Sequence, residues 1–115
     1  MSETDIMRRI MLGVTGNEVK LFRNNSGAFK DKSGRWTKFG VGIGGSDLIG
    51  LKSIVVHPSM IGSRLAVFCA VEVKSETGRM TPEQQHFLDV ILAAGGLAGI
   101  ARSVADAELI LGRLP

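Results

Sequence analysis

A chain of 115 residues with one cysteine, Cys69, has no disulfide of its own. A thiol kept reduced within an apolar run points to a reducing, intracellular setting, and a cytoplasmic location is expected. Histidine is nearly as scarce: His57 and His86 are too isolated to suggest a zinc site, and Cys69 lacks a partner for one. No apolar run reaches the ~20 residues of a membrane helix, so no membrane partner is expected. The N-terminus is polar and charged rather than a secretion signal. A phosphate-binding P-loop, a dinucleotide fingerprint and a nucleophile elbow are all missing, as are internal repeats, low-complexity tracts and linkers. What remains is ordinary globular composition, 44% hydrophobic and 22% charged. Residues 1–115 therefore read as one domain with a single modest core.

The pattern along the chain alternates helix and strand. Ile6, Met7, Ile10, Met11 and Val14 recur at helical spacing and predict a helix over 3–14, with Ser2 and Asp5 placed for a cap. Val19–Arg23 alternates like a strand, and Asn24-Asn25-Ser26-Gly27 is a strong turn signal. A basic segment over 28–39 leads into 40–45, where four of six residues are glycine and suit a loop whose backbone approaches something closely. Short strands are expected over 47–51 and 54–57, and the strongest strand over 66–74. Thr81-Pro82-Glu83-Gln84 opens a second helix through a capping box, with Phe87, Leu88, Ile91 and Leu92 as its buried stripe and Gly95-Gly96 as its stop. An apolar strand over 97–101 and a helix capped by Ser103 close the chain. This order, helix, three or more strands, helix, strand, helix, predicts an α/β sandwich with a mixed sheet.

Charge on the strongest strand is the main chemical signal. Side chains alternate across a strand, so Val67, Cys69, Val71 and Val73 are expected to face a core. Glu72 and Lys74 then share the other face with Phe68 and Ala70. An exposed Glu/Lys pair at a strand end is worth at most ~1 kcal/mol and needs no function. Asp47 adds to it: the residue follows the glycine-rich loop and starts an apolar strand. Should that strand run beside the one bearing Glu72, two carboxylates, a main-chain carbonyl and waters make a hard-oxygen site for Mg²⁺. Such an ion activates water and neutralises phosphate charge. Lys74 would orient the water or stabilise developing charge. Asp47 also reads as a turn residue after Ser46.

Two further residues carry double readings. Gln84 completes the capping box, yet its position three and four residues before Phe87 and Leu88 aims it at the sheet surface bearing Glu72 and Lys74. The two roles are expected to exclude each other. Glu3 falls on the helical face of Met7, Ile10 and Val14 and would supply a third acid, or it is a first-turn acid favourable to the helix dipole. Between Glu18 and Lys38 six basic residues (Lys20, Arg23, Lys30, Lys32, Arg35, Lys38) stand against two acidic ones, Glu18 and Asp31. Such a run suits a phosphate backbone and equally a solvated hairpin. Arg23, Asn24 and Asn25 would add guanidinium and amide contacts to phosphate, or simply make a tight hairpin turn. Trp36 would stack on a base or cover the hairpin.

With these residues placed, the chain resembles the virus-type replication-repair nuclease (VRR-NUC) family of the PD-(D/E)xK nuclease superfamily. The resemblance runs through the early Ser2-Glu3 helix, Phe22-Arg23-Asn24-Asn25-Ser26-Gly27, Gly45-Ser46-Asp47-Leu48-Ile49 and Val71-Glu72-Val73-Lys74. It continues through Met80-Thr81-Pro82-Glu83-Gln84, Ala94-Gly95-Gly96 and Ala101-Arg102-Ser103. It implies a restriction-endonuclease-like core of αβββαβ order plus a C-terminal helix. It implies Asp47, Glu72 and the Val73 carbonyl as ligands of Mg²⁺ or Mn²⁺, Lys74 as the catalytic lysine, and Gln84 and Glu3 as accessory active-site residues. Lys30, Lys32, Arg35 and Lys38, with Arg23, Asn24 and Asn25, would contact DNA. Ser46 stands where the superfamily's name places a proline, a residue that shapes the turn and is not a ligand. By analogy with compact phage Holliday-junction resolvases, the implied activity is cleavage of branched DNA by a homodimer. The readings set against it are a non-catalytic nucleic-acid-binding module and a restriction-type duplex nuclease.

Overall fold

A computed structural model describes residues 1–42 and 44–112. Ile43, within the glycine-rich run, lies outside the described residues. The chain is α/β and divides into two compact units, Met1–Lys52 and Ser53–Pro115. Among the described residues no helix is long and apolar enough to cross a membrane.

The first unit opens with helix α1, Glu3–Val14, as its periodicity predicts. Ser2 Oγ accepts from the Asp5 N–H at 3.1 Å and satisfies one of the amides that a helix start leaves unpaired. Strand β1, Val19–Arg23, pairs antiparallel with β4, Leu48–Lys52, in the register Leu21 opposite Gly50. The strands lie so close there that a Cβ on Gly50 would stand 2.9 Å from the Leu21 Cα and would strike the Lys20 carbonyl. Strands β2, Gly27–Lys30, and β3, Trp36–Phe39, form a separate antiparallel hairpin. The run Asn24-Asn25-Ser26-Gly27 is therefore not a hairpin turn between β1 and β2. It carries the chain from one ladder to the next.

The second unit is a β-α-β-α run. Strand β5, Cys69–Val73, pairs parallel with β6, Leu97–Ala101, and helix α2, Pro82–Ala93, makes the crossover that a parallel pair requires. Gly95, at φ +97°, takes the left-handed conformation that ends α2. Helix α3, Val104–Leu111, starts on Ser103, whose Oγ accepts from the Asp106 N–H at 3.1 Å. It lies over β6 at Gly99, where a Cβ would come within 2.8 Å of the Ile110 side chain. Leu88, Ile91, Leu97, Ala98, Ala101 and Ile110 are the buried core of this unit.

Three expectations are corrected here. Residues 54–57 form no strand; they precede a single 3-10 turn at Pro58–Met60. The strand expected over 66–74 is only five residues long, and its supposed core face is the open one. On it Val73 is 75% exposed, Cys69 is exposed and only Val71 is half-buried, whereas Phe68, Ala70, Glu72 and Lys74 on the other face are all half-buried. The alternation was read in the right phase with the wrong face turned inward. On α2, Leu88 and Ile91 are buried but Phe87 and Leu92 are open to solvent, so the stripe is narrower than its four apolar residues suggest. Among the described residues the strands pair both parallel and antiparallel, in three two-stranded ladders.

Candidate active site

Glu72, Lys74 and Gln84 come together at the C-terminal end of β5. Glu72 and Lys74 share a face by strand alternation, and Lys74 Nζ lies 3.6 Å from Glu72 Oε1. That is an ion-pair distance, longer than a hydrogen bond. The side chains of Lys74 and Glu72 are 18% and 30% exposed. An ion pair drawn this far from water gains little net stability, because desolvation offsets attraction.

Gln84 resolves its double reading. Its Oε1 accepts from the Thr81 N–H at 3.0 Å while Thr81 Oγ1 accepts from the Gln84 N–H at 3.1 Å, a complete capping box. Its Nε2 donates to Glu72 Oε1 at 2.9 Å. The expected conflict does not arise, since an amide has two ends: the oxygen serves the helix and the nitrogen serves the glutamate. Both neighbours of Glu72 engage the same oxygen. Oε2 takes no hydrogen bond from any described residue.

The backbone around this pair is oriented by the ladder. Phe68 O accepts from the Leu97 N–H at 2.9 Å, and the Lys74 N–H donates to Ala101 O at 3.1 Å. Even-numbered residues of β5 thus turn their main-chain groups toward β6, and the Val73 carbonyl turns away from it. Oε2 of Glu72 and this carbonyl are both hard oxygen donors, the type that Mg²⁺ and Mn²⁺ prefer. Among the described residues no three His, Cys, Asp or Glu side chains gather closely enough to hold a metal by themselves.

One residue of this region carried no role in the sequence reading. Arg102, just past β6, donates through Nη1 to the carbonyls of Ser75 and Gly78, the latter at 2.8 Å. The loop it ties down begins immediately after Lys74. Its own N–H donates to Asp106 Oδ2 at 2.8 Å, so the start of α3 holds Arg102 in turn. A contact across 24 residues leaves no trace in local spacing.

In the first unit, Asp47 is exposed and directly precedes β4, where its carbonyl accepts from the Asn24 N–H at 2.8 Å. Asn24 organises its surroundings. Its Nδ2 donates to Ser46 O at 3.0 Å, and its Oδ1 accepts from the Val41 N–H and from Ser26 Oγ, each at 3.3 Å. The amide is engaged by the glycine-rich loop and the residue before Asp47. An open hollow of about 470 Å³ lies here, lined in part by Asn24, Asn25, Gly42, Gly45 and Asp47. Glu3 is exposed in the first turn of α1. Arg23 is exposed at the end of β1, Lys30 and Lys38 lie on the hairpin strands, and Lys32 and Arg35 lie in its tip.

The tip is ordered by the one acid among these bases. Asp31 Oδ1 accepts from Ser33 Oγ at 2.6 Å and from the N–H groups of Ser33 and Arg35, each at 2.9 Å. These bonds, the Ser33 hydroxyl first, hold its carboxyl below the ordinary value of 3.8.

The family model of the VRR-NUC domain matches residues 18–105, a span containing Asp47, Glu72, Lys74 and Gln84. Neither the curated proteins nor the solved structures contain a match to the chain.

Proposed function

Because the chain belongs to the VRR-NUC domain family, a nuclease family, we propose that it is a Mg²⁺- or Mn²⁺-dependent endonuclease that cuts branched DNA as a cytoplasmic homodimer. The observation that carries this reading is the state of Glu72: Gln84 and Lys74 both hold Oε1, which leaves Oε2 for a cation. Asp47, Glu72 and the Val73 carbonyl are the proposed ligands, an all-oxygen set suited to a hard ion. The ion, when bound, lowers the pKa of a coordinated water and offsets phosphate charge.

The chain's own groups do the rest. Gln84 Nε2 fixes the Glu72 carboxylate in one orientation, and α2 fixes Gln84 through its cap. Lys74 directs one of its three N–H donors toward Glu72 and keeps the others for the attacking water or a phosphate oxygen. The tie from Arg102 steadies the loop that follows Lys74. Glu3 is proposed as an accessory acidic residue.

The test is cleavage of labelled four-way junctions, flaps and splayed arms with Mn²⁺ or Mg²⁺. Wild type cuts a branched substrate, and Lys74→Ala slows cutting by about 10²–10³-fold, the usual cost of losing one charge-stabilising group. Glu72→Gln and Asp47→Ala remove both cutting and calorimetric Mn²⁺ uptake. Binding with no cutting of any substrate identifies a non-catalytic module, and cutting of linear duplex at a fixed sequence identifies a restriction-type enzyme. Either result overturns the proposal.

A further inference from the structure

The two faces of the β2–β3 hairpin differ in kind. Its register sets Gly27 opposite Phe39, Ala28 opposite Lys38, Phe29 opposite Thr37 and Lys30 opposite Trp36. Alternation then puts Phe29 and Phe39 on one face, where their rings pack at 6.2 Å between centroids, and Phe39 covers Gly27. Trp36, Lys30 and Lys38 share the other face. Trp36 is 69% exposed, the Lys30 ammonium lies 6.0 Å from its ring centroid, and Lys38 is its next neighbour on that face, about 7 Å along the strand.

A large aromatic left open to water with a cation on two sides of it is a poor structural device and a good nucleic-acid surface. The indole offers a flat face to a base, and the ammoniums offer charge to the phosphates on either side of that base. A base in a duplex has no free face to give. The partner that fits is therefore unpaired DNA. The hairpin is also held in shape before any partner arrives. Asp31 gathers three donors at the tip, and the Asp31 N–H donates to Arg35 O at 2.8 Å. The one acid in the basic run is thus engaged by its own loop rather than set against the lysines.

We infer that the Lys30–Trp36–Lys38 face of this hairpin binds single-stranded DNA, with Trp36 stacking on a base and the lysines holding the adjacent phosphates. The inference rests on the nucleic-acid reading above and gives the nuclease a means of seating the unpaired nucleotides at a branch.

Trp36 is the only tryptophan and the chain has no tyrosine, so intrinsic emission reports on this face alone. The full chain is titrated with oligothymidylate and, separately, with a blunt duplex of equal nucleotide content. Both titrations contain EDTA, so no cleavage takes place. Single strands are expected to quench Trp36 and the duplex to leave it unchanged. Trp36→Ala should weaken single-strand binding about tenfold, read by anisotropy of a labelled oligonucleotide, while Trp36→Phe retains most of it. Replacing Lys30 and Lys38 by Ala should flatten the salt dependence of binding. Absence of quenching, equal quenching by duplex, or unchanged affinity in Trp36→Ala overturns the inference. Quenching by a protein that cuts nothing leaves this face standing and removes the nuclease reading. Cutting with no quenching does the reverse.

Discussion

Gln84 is where one side chain links a helix cap to the proposed site. Its oxygen completes the start of α2 and its nitrogen holds Glu72, so any substitution tests the two jobs separately. Gln84→Glu keeps an oxygen for the Thr81 N–H but turns an acceptor on Glu72, where the native residue gives a donor. Its denaturation midpoint should fall, because the new carboxylate repels that of Glu72, and single-turnover cleavage should fall about tenfold or more. Gln84→Met loses both ends and should also lose about 1 kcal/mol of stability, the usual worth of a cap. Wild-type cleavage by Gln84→Glu would reduce the residue to a cap. The sequence revealed both partners of this amide, Thr81 through the box spacing and Glu72 through the helix face. It did not reveal that they are compatible, because that depends on which end of the amide meets which neighbour. Asn24 was harder still: its bonds to Ser46 and Val41 join parts of the chain that no local pattern connects.

At the scale of elements, the helices were the legible part. Caps and breakers are local, so Ser2, Thr81, Gly95 and Ser103 mark α1, α2 and α3 within a residue or so. Strand β6 was equally clear, as an apolar run between glycines and a cap. Strand partners were not, because pairing is a long-range choice: β1 takes β4 across two intervening strands. The face of β5 turned inward was misread for a related reason. Valines at 67, 71 and 73 seem the natural core side, yet α2 presents Gln84 to the face bearing Glu72 and so half-buries the charged one. Arg102 belongs to this scale as well, since it connects the end of β6 to the loop leaving β5. Lysine keeps the charge, but its flexible ammonium lacks the rigid planar guanidinium that aims Nη1 at both carbonyls. Arg102→Lys should therefore lower kcat about tenfold with KM unchanged, and hydrogen exchange in residues 75–79 should speed up. A change confined to KM would mean that Arg102 touches DNA instead of steadying the loop.

For the whole molecule, the proposed homodimer bears on how both strands of a branch would be cut. The segment Ile54-Val55-Val56 has strand-forming composition, takes part in no ladder, and is 51%, 77% and 67% exposed. Apolar residues of this kind, left unpaired and wet, are where the proposed second copy would pack. A standard interface takes roughly 800 Å² from each partner, more than three residues supply, so their flanks would join them in it. The residues were expected to form a strand, and pairing between two copies of the chain would give them one. Sedimentation equilibrium should report twice the chain mass of 12.3 kDa for wild type. Val55→Lys with Val56→Lys should give the single chain mass, leave the helical circular dichroism intact, and convert paired cuts across a four-way junction into single nicks. A wild-type protein that sediments as one chain and still makes paired cuts would remove the homodimer from the proposal and require each molecule to cut both strands in turn.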